Sequence, residues 1–320
     1  MDKHLMAGVD IGGTTVKLAF IDLSGNVETK WEIPTNTSHG GETIVSDIGQ
    51  AIRNKLNDSN IDVSKLIGVG IGAPGFIDVE NGLIFEAVNL GWKNYPLKKE
   101  MENILGIPTF VDNDANLAAF GEMWKGAGTG AENLLCVTLG TGVGGGIIAA
   151  GEIVHGESGM AGEIGHIASV IENGVLCNCG KRGCLETVAS ATGIARSGLE
   201  AIQSNHAGKL KTIFDLTGTL TSKDIFEAAE EGDSLAVAVI EESCHHLGFA
   251  LANLANALNP QTIVIGGGVS KAGEYLIKMI RKSFDQYAIP KISKETTIRT
   301  ATLGNDAGVI GAAWLAKQRT

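Results

Sequence analysis

Positive charge is in short supply: Lys and Arg number 25 against 36 Asp and Glu, a net charge of −11. That balance leaves no general electrostatic footprint for nucleic acid or an anionic membrane, so any anionic ligand must be held locally, by backbone amides or a metal. The opening stretch, MDKHLMAGVDIGG, lacks the apolar segment and cleavage site of a secretory leader, and a cytoplasmic location is the default expectation. Without export, the five cysteines do not point to a disulfide framework. A clean membrane span is missing too. Residues 133–151 are uncharged, but six glycines and two threonines interrupt them, and 243–270 contain His245, His246, Asn253, Asn256, Asn259 and Pro260. The first reads as strand, turn and strand, the second as a buried helix that ends at Asn259-Pro260 before a strand. Two nucleotide-binding signatures are also lacking. No GxxxxGKS or GxxxxGKT occurs, and no GxGxxG opens a helix, which argues against P-loop and Rossmann readings.

What is present is a chain of 320 residues, 44% hydrophobic, with 44 glycines. It is long enough for two domains, each with its own core. AGVDIGG, VKLAFID and VETKWEIPT read as three short strands, with Ser24-Gly25-Asn26 as a hairpin turn. LLCVTLGTGVGGGIIAAGEIVHG repeats that plan, with turns at Gly140-Thr141-Gly142 and Gly151, so the sequence predicts two related domains. Between the copies, TIVSDIGQAIRNKL has helical spacing, LIGVGIGAPG reads as a buried strand, and IPTFVDNDANLAAFGEMWKG as strand into helix. From Thr187 to Leu258 the pattern is mainly helical, returning to strand at QTIVIGGGVS. No Pro/Ser-rich linker marks a boundary. The expected division is a smaller α/β domain over 1–113, with a helix at about 306–320 packing back on it, and a larger α/β domain over 114–305.

Four stretches carry candidate chemistry. The turn Gly12-Gly13-Thr14-Thr15 leaves amides and hydroxyls free to converge on an anion. Alone it also fits an ordinary structural turn; paired with the second Gly/Thr turn, Gly140-Thr141-Gly142, it suggests two loops gripping the phosphates of a nucleotide. VIGGGVS ends a strand in Gly266-Gly267-Gly268, bare enough for a flat ligand such as adenine or ribose, and equally compatible with a tight strand-to-helix connection. In VDNDAN, residues 111–116, Asp112 reads as a helix N-cap. Asp114, in the first turn, reads as a base able to take a proton from a hydroxyl attacking a phosphoryl group.

The fourth stretch supplies His166, Cys177, Cys179 and Cys184. One imidazole and three thiolates form a closed tetrahedral set suited to structural Zn²⁺, and Gly180 and Gly183 let the loop curl. Glu163 stands three positions before His166, and Glu186 two after Cys184, so the metal loop can pin both carboxylates and the imidazole around a polyhydroxyl ligand. Cys136 and Cys244 read as packing residues.

Taken together, DIGGTTVK, GAPG, NDAN, VTLGTGVGGGIIAAGEIVHG, GEIGH, CNCGKRGCLE and NPQTIVIGGG resemble the ROK family of sugar kinases and repressors, most closely its bacterial glucokinases. The resemblance implies an actin-like ATPase (ribonuclease H-like) fold, α/β, of two domains around a central cleft, usually dimeric. It implies ATP phosphate contacts from Asp10, Gly12, Gly13, Thr14, Thr15, Lys17, Thr138, Gly140, Thr141, Gly142 and Gly266–268, with Asp10 near Mg²⁺. The base falls on Asp114, and sugar contacts on Gly75, Asn113, Asp114, Glu163, His166 and Glu186. The implied reaction is phosphorylation of glucose at its 6-hydroxyl, with no nucleic-acid or membrane partner. N-acetylmannosamine or fructose as acceptor, and polyphosphate as donor, stay open. A sugar-responsive repressor is disfavoured by the acidic charge and by the nine residues that precede Asp10, too few for a helix-turn-helix.

Overall fold

A computed structural model of the chain describes residues 4–204 and 208–320. It forms two compact units, one made of Met1–Gly130, Gly146–Gly162 and Thr302–Thr320, the other of Ala131–Gly145 and Glu163–Ala301. The units divide after Gly130, later than the residue-114 boundary read from the sequence, because the helix that begins at Asp114 packs within the first.

That first unit contains β1 (Leu5–Ile11), β2 (Thr15–Asp22), β3 (Val27–Pro34), α1 (Ile44–Asp58), β4 (Leu66–Ala73), β5 (Phe76–Asp78), β6 (Leu83–Ala87), β7 (Trp92–Tyr95), α2 (Leu97–Leu105), β8 (Thr109–Asn113) and α3 (Asp114–Lys125). Its main sheet has the order β3-β2-β1-β4-β8. β2 and β3 run antiparallel, while β1, β4 and β8 are mutually parallel. Side chains alternate across a strand, and β1 uses both faces. Leu5, Ala7, Val9 and Ile11 join a core with Val45, Ile48 and Ile52 of α1 and Leu97 and Met101 of α2.

Met6 points the other way, into a cluster with Ala19, Ile21, Val309 and Ala313. The second unit begins with β9 (Leu134–Leu139) and β10 (Val143–Ala149), and β10 runs on into residues of the first unit, where β11 (Glu152–Ile153) pairs with it. Next come α4 (Glu186–Ala189), α5 (Ala191–Ser204), α6 (Lys209–Thr217), α7 (Ser222–Glu230), α8 (Ser234–Leu258), β12 (Thr262–Gly266), α9 (Gly273–Tyr287), α10 (Pro290–Glu295) and β13 (Thr297–Thr300), and the chain closes with α11 (Ala307–Arg319). α11 returns to the first unit and seats directly on its sheet. A side chain at Gly8 would collide with the Val309 carbonyl, and one at Gly70 with that of Ala312. Glycine at these two strand positions is what lets helix and sheet approach so closely.

The second sheet has the order β11-β10-β9-β12-β13, the order of the first with each strand replaced by its counterpart. The strand–turn–strand repeat of the sequence is therefore a repeat of topology. α8 is long and apolar enough to cross a membrane by length and composition, yet its buried face packs on α9, where a side chain at Gly248 would press on the Ile280 carbonyl. The three-stranded sheet β5-β6-β7 was not anticipated: its strands are three to five residues long, too short for a legible alternation.

Candidate active site

In the first unit the parallel strands β1, β4 and β8 end at one sheet edge, where Asp10 pairs with Gly72, Gly72 with Asp112, and Ala73 with Asn113. Loops at the carboxyl ends of parallel strands are where α/β sheets hold ligands. Asp10 opens the Gly/Thr turn, which Gly12 N closes by donating to Thr15 O at 3.0 Å. Gly13 and Thr14 are exposed at its tip. Burial pushes the Asp10 carboxyl above its usual range, and Lys17, with Nζ 3.8 Å away, opposes that shift. A partly buried carboxylate with one distant cation suits a divalent metal ion.

Across the same edge, Asn113 caps α3: its Oδ1 accepts from Ala115 N at 2.9 Å, and its Nδ2 donates to Gly75 O at 3.4 Å. Gly75 has φ +101, and a side chain there would strike the Glu86 carbonyl, so only glycine serves. Asp114 follows the cap as an exposed carboxylate in the first helical turn, with Oδ1 2.8 Å from Ala115 N. The capping role assigned to Asp112 is corrected. Asp112 is the penultimate residue of β8, fully buried, and Asn113 is the cap. The two positions both carry side chains that cap well, so residue type alone did not separate them.

Asp112 has a partner that no sequence pattern announced. His155 Nε2 lies 2.7 Å from Asp112 Oδ2, while Asp112 Oδ1 accepts from Asn113 N at 2.7 Å and Asn116 Nδ2 at 2.9 Å. The hydrogen bond to Asp112 raises the His155 pKa above its usual value, and burial works against it. A single histidine after a strand has no spacing signature, so only the fold reveals the pair. Glu122 was also missed. It is buried, and its carboxylate accepts from Ala127 N, Thr302 N and Leu303 N, tying the last helix's approach to α3.

In the second unit β9 and β12 are parallel, with Thr138 opposite Gly266. Gly140 N donates to Gly142 O at 2.9 Å, and the turn is fastened to the start of α5, where Ala191 N donates to Gly140 O and Thr192 Oγ1 to Thr141 O. Gly267 has φ +82 with the Leu139 carbonyl against it. At Gly140 and Gly268 a side chain would enter open space. Bare backbone thus flanks Thr138 on two neighbouring loops, a surface suited to phosphate and ribose.

The same unit gathers His166, Cys177, Cys179 and Cys184, with every ligand atom within 4.8 Å of the others. Cys177 Sγ is 3.6 Å from His166 Nδ1, and Cys179 Sγ 3.6 Å from Cys184 Sγ. With zinc–sulfur bonds of about 2.3 Å, the edge of a tetrahedron is about 3.8 Å, so the donor set fits Zn²⁺. Burial pushes the Cys184 thiol up to about 12, whereas the amide of Lys181 lowers Cys179. The other nitrogen of His166, Nε2, is 3.7 Å from Glu163 Oε2. Glu186 Oε1 is 3.7 Å from Cys177 Sγ, and its Oε2 accepts from Val143 N at 3.0 Å. Gly165 lies against the Val143 carbonyl, so the turn carrying Glu163 and His166 and the residue holding Glu186 share one short piece of β10.

Comparison with known proteins identifies the family. A model of the ROK family matches residues 6–319. The chain is 54% identical over 319 residues to a glucokinase of Halalkalibacterium halodurans, covering 100% of this chain and 97% of that one. With a glucokinase of Thermotoga maritima it shares 37% identity over 320 residues, 100% of this chain and 99% of the other. Among solved structures, a ROK family glucokinase from Streptomyces griseus in complex with glucose and AMPPNP matches with a TM-score of 0.78 at 37% identity, over 98% of this chain and 99% of that one.

Proposed function

The chain belongs to the ROK family, and from that premise we propose that it transfers the γ-phosphoryl group of ATP to the 6-hydroxyl of glucose, with Asp114 as general base. Its fold is the actin-like ATPase (ribonuclease H-like) α/β fold. The observation that carries the reading is the junction of β8 and α3, where Asn113 caps the helix and an exposed carboxylate follows it, in a chain 54% identical to a glucokinase end to end.

Asp114 takes the proton of the 6-hydroxyl as that oxygen attacks the γ-phosphorus and the bond to the β-phosphate oxygen breaks, releasing ADP. Asp114 stands in the first turn of α3, where the helix dipole favours a carboxylate. Gly12, Gly13, Thr14 and Thr15, together with Thr138, Gly140, Thr141 and Gly142, supply amides and hydroxyls for the triphosphate; Gly266, Gly267 and Gly268 leave room for the nucleoside. Asp10 would hold Mg²⁺, which when bound neutralises phosphate charge, and Lys17 lies beside it. Asn113, Glu163, His166 and Glu186, with the carbonyl of Gly75, bind the sugar hydroxyls.

The Cys177, Cys179, Cys184 and His166 set would hold Zn²⁺ as a structural ion. His166 then turns Nδ1 to the metal side and leaves Nε2 for the sugar side. ATP and glucose meet in the cytoplasm, which is where this activity places the protein. A homodimer is supported by the family resemblance and by the exposed apolar side chains Phe249, Leu258 and Ile289.

The test is an assay of sugar-phosphate formation with glucose, N-acetylmannosamine and fructose as acceptors and ATP or polyphosphate as donor. The expected result is the highest kcat/KM for glucose with ATP. A higher value for another acceptor or for polyphosphate overturns the assignment.

A further inference from the structure

The Asp112–His155 pair lies outside the residues just assigned, yet it touches them. Asp112 is fully buried, and an ionised carboxylate without water is costly unless its lone pairs are met. Its Oδ1 is met by Asn113 N and Asn116 Nδ2. Oδ2 is met by His155 Nε2 at 2.7 Å. The carboxylate therefore grips the backbone of Asn113 on one side and an imidazole on the other, one residue before the cap and two before Asp114.

We propose that His155 is a positioning residue for phosphoryl transfer: by holding Asp112, it fixes the orientation of the Asn113–Asp114 junction. The inference rests on the reading of Asp114 as the base. The shift of His155 toward its protonated form follows first from the hydrogen bond to Asp112, with Glu152 adding to it and burial and Arg319 opposing. His155 also lines a cavity of about 900 Å³ whose other charged walls are Asp78, Glu80, Lys98, Glu157 and Arg319, so protons reach it from solvent. Loss of the imidazolium weakens the hold on Asp112 without removing any group that would touch sugar or nucleotide.

Steady-state kinetics of His155→Leu and His155→Gln beside Asp114→Asn test this. His155→Leu should lower kcat roughly tenfold or more, the scale of a small misplacement of a reacting group, while KM for ATP stays within about twofold. His155→Gln, which keeps a donor at the same place, should recover most of that loss. The kcat of wild type should decline as pH rises through the elevated pKa of His155, and the Gln variant should lack that decline. A Leu variant with wild-type kcat, or a Gln variant with the wild-type pH profile, overturns the inference; the second readout holds even if the Leu variant does not fold. If Asp114→Asn is inactive while both His155 variants match wild type, only this inference fails. If Asp114→Asn turns over normally, the base assignment fails and takes the inference with it.

Discussion

The carboxylate of Glu186 occupies the space that a side chain at Gly142 would fill, and from there it accepts the amide of Val143. Gly142 belongs to the turn read as a phosphate loop, yet its bare Cα faces a residue assigned to the sugar. Because the obstacle is the end of a flexible side chain, Gly142→Ala should fold well and displace Glu186. Losing a hydrogen bond to a charged group is worth about 1.5–3 kcal/mol, so KM for glucose should rise by roughly ten- to a hundredfold. Gly140→Ala, whose new methyl enters open space, should instead raise KM for ATP. Steady-state kinetics in both substrates distinguish the two; a reversed pattern assigns Gly142 to the nucleotide alone.

The metal set gives a second expectation. Purified protein should contain about one Zn²⁺ per chain, and Cys179→Ser should lose it. Since His166 belongs to the metal set and Glu186 contacts Cys177, glucose affinity should fall steeply while nucleotide binding without sugar changes little. Metal analysis with calorimetry reads both. Fully active protein without zinc would return the cluster to plain reduced thiols.

Stability should depend on pH through His155. Its folded pKa is raised by Asp112, so the stabilisation is complete below the unfolded value of about 6.5 and is lost as pH rises through the folded value. The difference in Tm between wild type and His155→Gln should shrink as pH rises from about 6.5 through the raised folded pKa. A constant difference would show that the imidazole contributes no charge to the pair.

Much of this is legible in the amino-acid sequence. The Gly/Thr turns between apolar runs located β1, β2, β9 and β10, and the CxC and CxxxxC spacing brought four ligands to one place. Periodic patterns found α1 and α3 as well, because burying one face imposes that repeat. Short strands such as β5 and β7 carried too few residues to alternate. The Asp112–His155 pair joins positions 43 residues apart, and no local rule links a buried acid to a distant imidazole. Asp112 was misassigned for the same reason: whether an acid before a helix caps it or is buried depends on register, which the neighbouring strands set.

The central claim is that a carboxylate at residue 114 drives transfer of the terminal phosphoryl group to glucose O6. Its most direct test is a rapid-quench measurement with γ-labelled ATP and glucose, comparing wild type with Asp114→Asn at matched occupancy of both substrates. Wild type should place the label in glucose 6-phosphate, and Asp114→Asn should bind glucose as before but transfer label slower by roughly two to four powers of ten, the usual worth of a positioned base. Label appearing at wild-type rate in the Asn variant, or on any position other than O6, would contradict it.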